Sequence, residues 1–372
     1  MKLIRNIADL VGIAGRSKHI MVLFNGSVDS TYILSLLSGA GCRVTALVVD
    51  FGGLDKVRLS EIACYFPVNL ELVDGKRALA ESALKPAICA NFISKVGHPN
   101  SLSLVRPILA DIAVNYANLS GCEAIVHGSN HSPNSAFQIN TSINLLGFEG
   151  AYGSPYDCEA LSFDKKQVAL FDIGLRMSRE FFQARKSNFW CRSYEVSCTN
   201  DTEDYIAEES LFSWTKSAIN KQPELISITF SSGLPTHVNN KAMDLITLIE
   251  HLNHRVGAFG IGRFVGPERQ HYGKKTLEVR EAPAAFAILE TYRCLENVSL
   301  SSDMLQKKKL IEATWANEVV EGLWFGCLKK SAENLINTMS KHVEGTVNLS
   351  LFGGALKTTP SNLDALVSSG LA

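Results

Sequence analysis

The stretch Phe24-Asn25-Gly26-Ser27-Val28-Asp29-Ser30-Thr31 gathers residue types that suit a phosphate group. Gly26 lets the backbone turn tightly and come close to an anion. Asp29-Ser30-Thr31 has helix N-cap chemistry, and at a helix start the main-chain N–H groups point outward. The hydroxyls of Ser27, Ser30 and Thr31 add donors at the same place. No Gly-Lys-Ser/Thr follows and the spacing is not G-x-G-x-x-G, so neither a Walker A loop nor a dinucleotide fingerprint is present. The plain alternative is a capped helix in any α/β domain. A second polar run, Gly128 to Ser135, follows His127, which reads as a structural residue at a strand end rather than a general base. His98 and His131 lack metal-ligand spacing, and no metal site is expected.

Both polar runs sit where a parallel sheet would bring them together. Ile20–Phe24, Arg43–Val49, Val68–Val73 and Glu123–His127 are apolar runs of buried-strand length. Residues 1–17, 54–65, 76–93 and Val105–Leu119 read as helices between them, with Pro107 in a first turn. Alternating strands and helices imply a doubly wound parallel α/β sheet, whose ligands lie outside the strands' carboxyl ends. From about residue 165 the pattern changes to α+β. Lys165–Arg185, Asn239–Asn253 and Ser302–Leu328 look helical, Ile226–Phe230 and Thr346–Phe352 look like strands, and 257–292 reads as strands and loops. The expected domains are 1–165, a parallel α/β domain whose loops suit a phosphate, and 166–372, an α+β domain.

At 372 residues, 46% apolar and 20% charged, the composition is that of a globular protein of about two domains. A formal net charge of −1 argues against nucleic acid or an anionic membrane as partner. Nine scattered cysteines without C-x-x-C read as buried, reduced thiols in a cytoplasmic protein. No apolar run is long enough for a transmembrane helix, and the N-terminus lacks a signal-peptide core.

The first loop resembles the pyrophosphate loop of N-type ATP pyrophosphatases, S-G-G-x-D-S/T-S, with Asn25 and Ser27 in place of a Ser and a Gly. Ser103-Leu104-Val105-Arg106-Pro107, His127-Gly128 with Asn134, and Leu225–Asn240 narrow the resemblance to argininosuccinate synthases. So do Leu245–Gly257, Arg263–Gly266, Glu281–Ala284, Ala316–Trp324 and Glu344–Val347, all in collinear order over about residues 18–360. The missing zinc or catalytic cysteines weigh against a deazaguanine synthase or a tRNA thiolase. The resemblance implies an AMP-forming carbon–nitrogen ligase. ATP, carried with Mg²⁺, adenylates a ureido oxygen and releases pyrophosphate; the amine of an amino acid such as aspartate then displaces AMP. Such chemistry needs positioning and charge stabilisation rather than a covalent intermediate.

By the same resemblance Phe24, Asn25, Gly26, Ser27, Asp29, Ser30, Thr31, Val49 and Gly128 would bind ATP, and Asp29, Ser30 and Asn134 would be catalytic. His98, Ser103, Arg106, Asn130, Asn134, Ser135, Gln138, Ser193 and Arg280 would line the acceptor and amine sites. Several depart from the family pattern. Gln138 stands where the family has an arginine on citrulline, His98 replaces a tyrosine, and Arg280 replaces another tyrosine. Losing a bidentate donor to a buried carboxylate costs about 2–5 kcal/mol. The expected acceptor is therefore a ureido, amide or carboxyl compound other than citrulline, its anion held by Arg280 or Arg269. Ser27 in place of glycine would cost ~1–2 kcal/mol were the position left-handed. The alternatives are a genuine argininosuccinate synthase and an inactive nucleotide-binding pseudoenzyme. Only Ala355–Ala372 follow the last strand, with Ser361–Val367 as at most a short helix, so a homodimer is expected and a homotetramer is the alternative.

Overall fold

The structure is a computed structural model that describes residues 3–93, 97–129, 133–158, 161–176, 186–196, 206–216, 222–269 and 275–361. Its first half is a six-stranded, wholly parallel sheet. The strands are β1 (Leu3–Ile4), β2 (His19–Leu23), β3 (Arg43–Asp50), β4 (Asn69–Asp74), β5 (Ala124–His127) and β6 (Ala151–Gly153), in the order β1-β6-β5-β2-β3-β4. Strand order reverses between β2 and β5, so the crevice where doubly wound sheets bind ligands opens at their carboxyl ends.

β2 shows why the sheet is covered on both faces. Its side chains alternate, and Ile20, Val22 and Phe24 enter one apolar cluster while Met21 and Leu23 enter another. The first cluster is closed by α1 (Ile7–Ala14), α2 (Val28–Leu37), α3 (Lys56–Ala63) and α8 (Phe163–Asp172). The second is closed by α4 (Lys76–Leu79), a π-helical turn Ala80–Leu84, α5 (Lys85–Cys89), α6 (Leu102–Ser120) and α7 (Pro133–Leu145). That second cluster continues without a break into the C-terminal half through Phe230, Leu248, Ile288, Tyr292 and Trp315.

The C-terminal half holds two antiparallel sheets. One has β7 (Lys186–Ser187), β8 (Arg192–Val196), β12 (Arg263–Arg269) and β13 (Lys275–Glu281), in the order β12-β13-β8-β7. The other has β9 (Glu224–Ser231), β10 (Leu234–Val238), β11 (Lys241–Ala242), β14 (Gly345–Phe352) and β15 (Ala355–Pro360), in the order β11-β10-β9-β14-β15. Helices α9 (Leu245–Gly257), α10 (Pro283–Ser299), α11 (Ser302–Val320) and α12 (Cys327–Ser340) complete this half.

Several boundaries differ from expectation, each for a local reason. The N-terminal stretch starts as β1 beside β6 before turning helical. Helix α6 starts at Leu102, so Pro107 lies beyond its first turn. The polar run after β5 is shorter than expected, because Pro133 opens α7 and puts Asn134 and Ser135 in a first turn. Asn239 and Asn240, read as the start of a helix, instead have φ of 50° and 64° and form a two-residue hairpin turn. Helix α9 begins after them, capped by Asp244. Residues 283–292, read as strands and loops, belong to α10, which has Pro283 at its N-terminus and runs to Ser299. The segment after Gly353-Gly354 turns back as β15 along β14, and positions 362–367 of the suggested short helix lie outside the described residues. Residues 177–185 of the suggested Lys165–Arg185 helix also lie outside them. The described cysteines are free thiols, but Cys64, Cys158 and Cys327 are exposed rather than buried.

Candidate active site

The loop after β2 is held together by its own side chains. Gly26 takes φ +74°, a conformation that L side chains rarely adopt. Asn25 Oδ1 accepts from the Ser27 amide at 3.1 Å and from the Ser30 hydroxyl at 2.9 Å. Ser27, rather than Asp29, caps α2, its Oγ accepting from the Ser30 amide at 3.3 Å. Ser27 has φ −68°, so the feared left-handed strain does not arise. The expectation of three free hydroxyl donors needs correction. Those of Ser27 and Ser30 lie 3.2 Å apart and bond within the loop, while Thr31 is fully buried and its Oγ1 has no hydrogen-bond partner among the described residues. Phe24 and Val49 are core side chains, and the Phe24 N–H already donates to the Leu47 carbonyl at 2.8 Å. What the loop offers an anion is its helix N-terminus.

The loop after β5 meets this one directly. A Cβ on Gly128 would lie 2.9 Å from the Ser30 nitrogen and 3.1 Å from Asp29 Cβ, so only glycine fits there without moving backbone. Asp29 is gripped from behind. Lys166 Nζ on α8 donates to Asp29 Oδ1 at 2.5 Å, and the Tyr156 hydroxyl donates to the Asp29 carbonyl at 2.9 Å. The Lys166 ammonium also lies 3.7 Å from the centre of the Tyr156 ring. His127 is buried, and burial pushes its imidazole down to about 4. Its Nδ1 accepts from the Ser129 amide, so Nε2 carries the proton and donates to Asn140 Oδ1 at 2.9 Å. A neutral ring bonded at both nitrogens is structural.

The acceptor-side residues gather around the start of α6. Ser103 and Arg106 lie one turn apart on α6 and both reach Gln138 on α7. Gln138 is buried, and its carboxamide is engaged at both ends. Oε1 accepts from Arg106 Nη1 at 2.7 Å, and Nε2 donates to the Val320 carbonyl at 2.5 Å and to Ser103 Oγ at 3.4 Å. Arg280 is likewise engaged within the protein. Its Nη2 lies 2.5 Å from Glu278 Oε2 and its Nη1 donates to His98 Nε2 at 2.8 Å. Since arginine can only donate, the His98 proton is on Nδ1, where the Pro99 carbonyl accepts it at 3.2 Å. All three residues are buried. Arg280 is thus matched by Glu278 and is not the uncompensated positive charge expected for an anion. Ser193 stands opposite Arg280 in the β8–β13 pairing, buried, with no hydrogen-bond partner for its Oγ among the described residues.

The structure therefore brings Asp29, Ser30 and Gly128 to one place, Ser103, Arg106 and Gln138 to a second between α6 and α7, and His98, Ser193 and Arg280 to a third on β13. Asn134 and Ser135 start the helix that carries Gln138, and Asn130 lies outside the described residues. Sequence reasoning missed Lys166, Tyr156 and Glu278. Only Glu278 carried a signal, an acid two residues before Arg280 on the same strand face. Among the described residues no three His, Cys, Asp or Glu side chains gather to hold a metal ion, and no helix is long and apolar enough to cross a membrane.

Comparison with known proteins gives the family. Residues 19–149 match the family described as "Arginosuccinate synthase N-terminal HUP domain", and 184–365 match "Arginosuccinate synthase C-terminal domain". The argininosuccinate synthase of Pyrococcus furiosus is 30% identical over 341 residues, covering 90% of this chain and 82% of that one. That of Acaryochloris marina is 29% identical, covering 92% and 87%. Among solved structures, the NH3-dependent NAD synthetase of Campylobacter jejuni is 15% identical, covers 47% of this chain and 74% of that one, and superimposes with a TM-score of 0.32, too slight a likeness to build on. With both halves matched in order, and a relative at this identity over most of its length, the chain belongs to the argininosuccinate synthase family of ATP-dependent, AMP-forming carbon–nitrogen ligases.

Proposed function

We propose that the chain activates an acceptor other than citrulline. ATP would lie with its phosphates at Asn25–Thr31 and Gly128, with Mg²⁺ carried on the phosphates, since Mg²⁺ is usually held by one or two carboxylates plus substrate oxygens. Asp29, Ser30 and Asn134 would order the phosphates and the reacting groups. The acceptor, a ureido, amide or carboxyl compound, would be adenylated with loss of pyrophosphate, and an amine such as aspartate would displace AMP. The observation that carries the reading is that Gln138 and Arg280 are already engaged with protein groups. A zwitterion would have to break those buried pairs to find partners for its own carboxylate and ammonium. The unpartnered Ser193 hydroxyl supports a ligand contact there. The ordinary φ of Ser27 favours an active loop over a pseudoenzyme.

A genuine argininosuccinate synthase is the second reading, favoured by the names of the relatives at 28–30% identity. The test measures pyrophosphate release from ATP over a panel of ureido, amide and carboxylate compounds, with and without amino acids. We expect release with a member of the panel and none appreciable with citrulline plus aspartate. Robust argininosuccinate formation by mass spectrometry would overturn the reading. We further propose a cytoplasmic homodimer, with a tetramer as the alternative. Exposed Leu310, Leu328 and Leu335 on α11 and α12 support an interface, and light scattering at micromolar protein reads the mass. The division near residue 165 is proposed as the domain boundary.

A further inference from the structure

The loop holds a carboxylate where an anion is to bind. Asp29 stands in the first turn of α2, and its charge would repel the phosphates of ATP unless a cation offsets it. Lys166 is that cation. It comes from α8, far along the chain, and its side chain is 3% exposed whereas that of Asp29 is 24% exposed. A lysine this deeply buried needs a reason, because burial disfavours the charged form. Its ammonium finds two compensations, the Asp29 carboxylate at 2.5 Å and the face of Tyr156 at 3.7 Å from the ring centre. Tyr156 in turn fixes the Asp29 carbonyl. Carboxylate and carbonyl of one loop residue are thus set by two side chains that touch each other.

We propose that Lys166 is a positioning residue for the ligase reaction. It fixes the rotamer of Asp29 and supplies its counter-charge, so that the loop presents its helix N-terminus to the triphosphate without a net repulsive charge. This rests on the reading that the loop binds the phosphates of ATP. It also accounts for how a loop without a Walker lysine obtains a fixed ammonium close behind its phosphate site.

The experiment is a double-mutant cycle read by calorimetric binding of the α,β-methylene analogue of ATP with Mg²⁺. Lys166→Met keeps the packing on Tyr156 and removes the Lys166 counter-charge from Asp29; it should weaken binding at least tenfold. Lys166→Arg should stay within about threefold of wild type. Asp29→Asn combined with Lys166→Met should bind more tightly than Lys166→Met alone, since the carboxylate that Lys166 offset is then neutral. If wild type binds the analogue and Lys166→Met binds equally well, or the two effects simply multiply, Lys166 only fills space and the inference fails. If wild type does not bind the analogue, the phosphate-loop reading fails and takes the inference with it. Should Lys166→Met alone not fold, the double variant decides by circular dichroism and binding. Recovery of both supports the inference, and failure to recover overturns it.

Discussion

The two ends of the proposed site are built in opposite ways. The nucleotide end is a short continuous stretch whose shape follows from a left-handed glycine, an Asn side chain folded onto its own backbone and a serine cap. The acceptor end is assembled from α6, α7, β8, β13, the segment holding His98 and the end of α11, and it is closed by side chains bonded to one another. A site that offers its ligand backbone N–H groups tolerates side-chain changes that keep the turn, and Asn25 and Ser27 hold the turn here. A site made of paired side chains changes its ligand when one partner changes. Divergence within the family should therefore concentrate at the acceptor end and leave the phosphate loop working.

The sharpest way to break this contrast is at Gly128. Gly128→Ala pushes a methyl group into the Ser30 nitrogen and Asp29, with no flexible side chain to give way. We expect ATP-dependent pyrophosphate release to fall at least 100-fold, with a stability loss of about 1–3 kcal/mol from overpacking. Equal Mg-ATP-induced stabilisation of wild type and variant in thermal melts would show that the two loops do not form one phosphate site.

At the other end, Gln138→Ala leaves the Val320 carbonyl and Arg106 without a buried partner each had, at a cost of about 1–3 kcal/mol. The contrast predicts a several-fold change in acceptor KM with ATP affinity unchanged. A matching loss of ATP affinity would mean that the two ends are one unit.

The smallest effect on activity, with stability alone expected to move, comes from a buried charge cluster away from both ends. Lys308 is fully buried, with Glu296 at 2.6 Å, the Cys89 carbonyl at 2.6 Å and Glu312 also bonded to its ammonium. One ammonium cannot balance two carboxylates, and burial pushes the Glu312 carboxyl up to about 7. A carboxyl raised on folding favours the native state while protonated, and that contribution is lost as pH rises through 7. Glu312→Gln should match wild type near pH 5 and be more stable at pH 8, by on the order of 2–3 kcal/mol. Melting temperatures of both proteins from pH 5 to 8 measure it, and a difference independent of pH would refute it.

How much of this was legible follows from how far apart the interacting residues are. The parallel sheet, the Gly26 turn and the convergence of the loops after β2 and β5 were readable, because apolar runs and turn chemistry are local signals. Errors fell where two local signals compete. The stretch 257–292 reads as strands and loops although Pro283 starts a helix within it, and Asn239-Asn240 reads as a helix start where it makes a hairpin turn. The pairing of Lys166 with Asp29 spans 137 positions, and that of Arg280 with His98 spans 182. No periodicity announces such contacts. The acceptor residues were found by resemblance, but that Gln138 and Arg280 are already occupied could be seen only in three dimensions.

The apolar cluster shared by both halves sets a constraint on synthesis. Helices α5 and α6 turn Ile88, Leu104 and Ile108 toward an interior that is completed by β9, α10 and β14. The first half emerges from the ribosome with that face uncovered. About 200 residues separate β6 from the end of β14, and at typical elongation speeds they take roughly 10–40 s to make. For that interval the nascent chain carries a sticky surface that only its own later residues can cover.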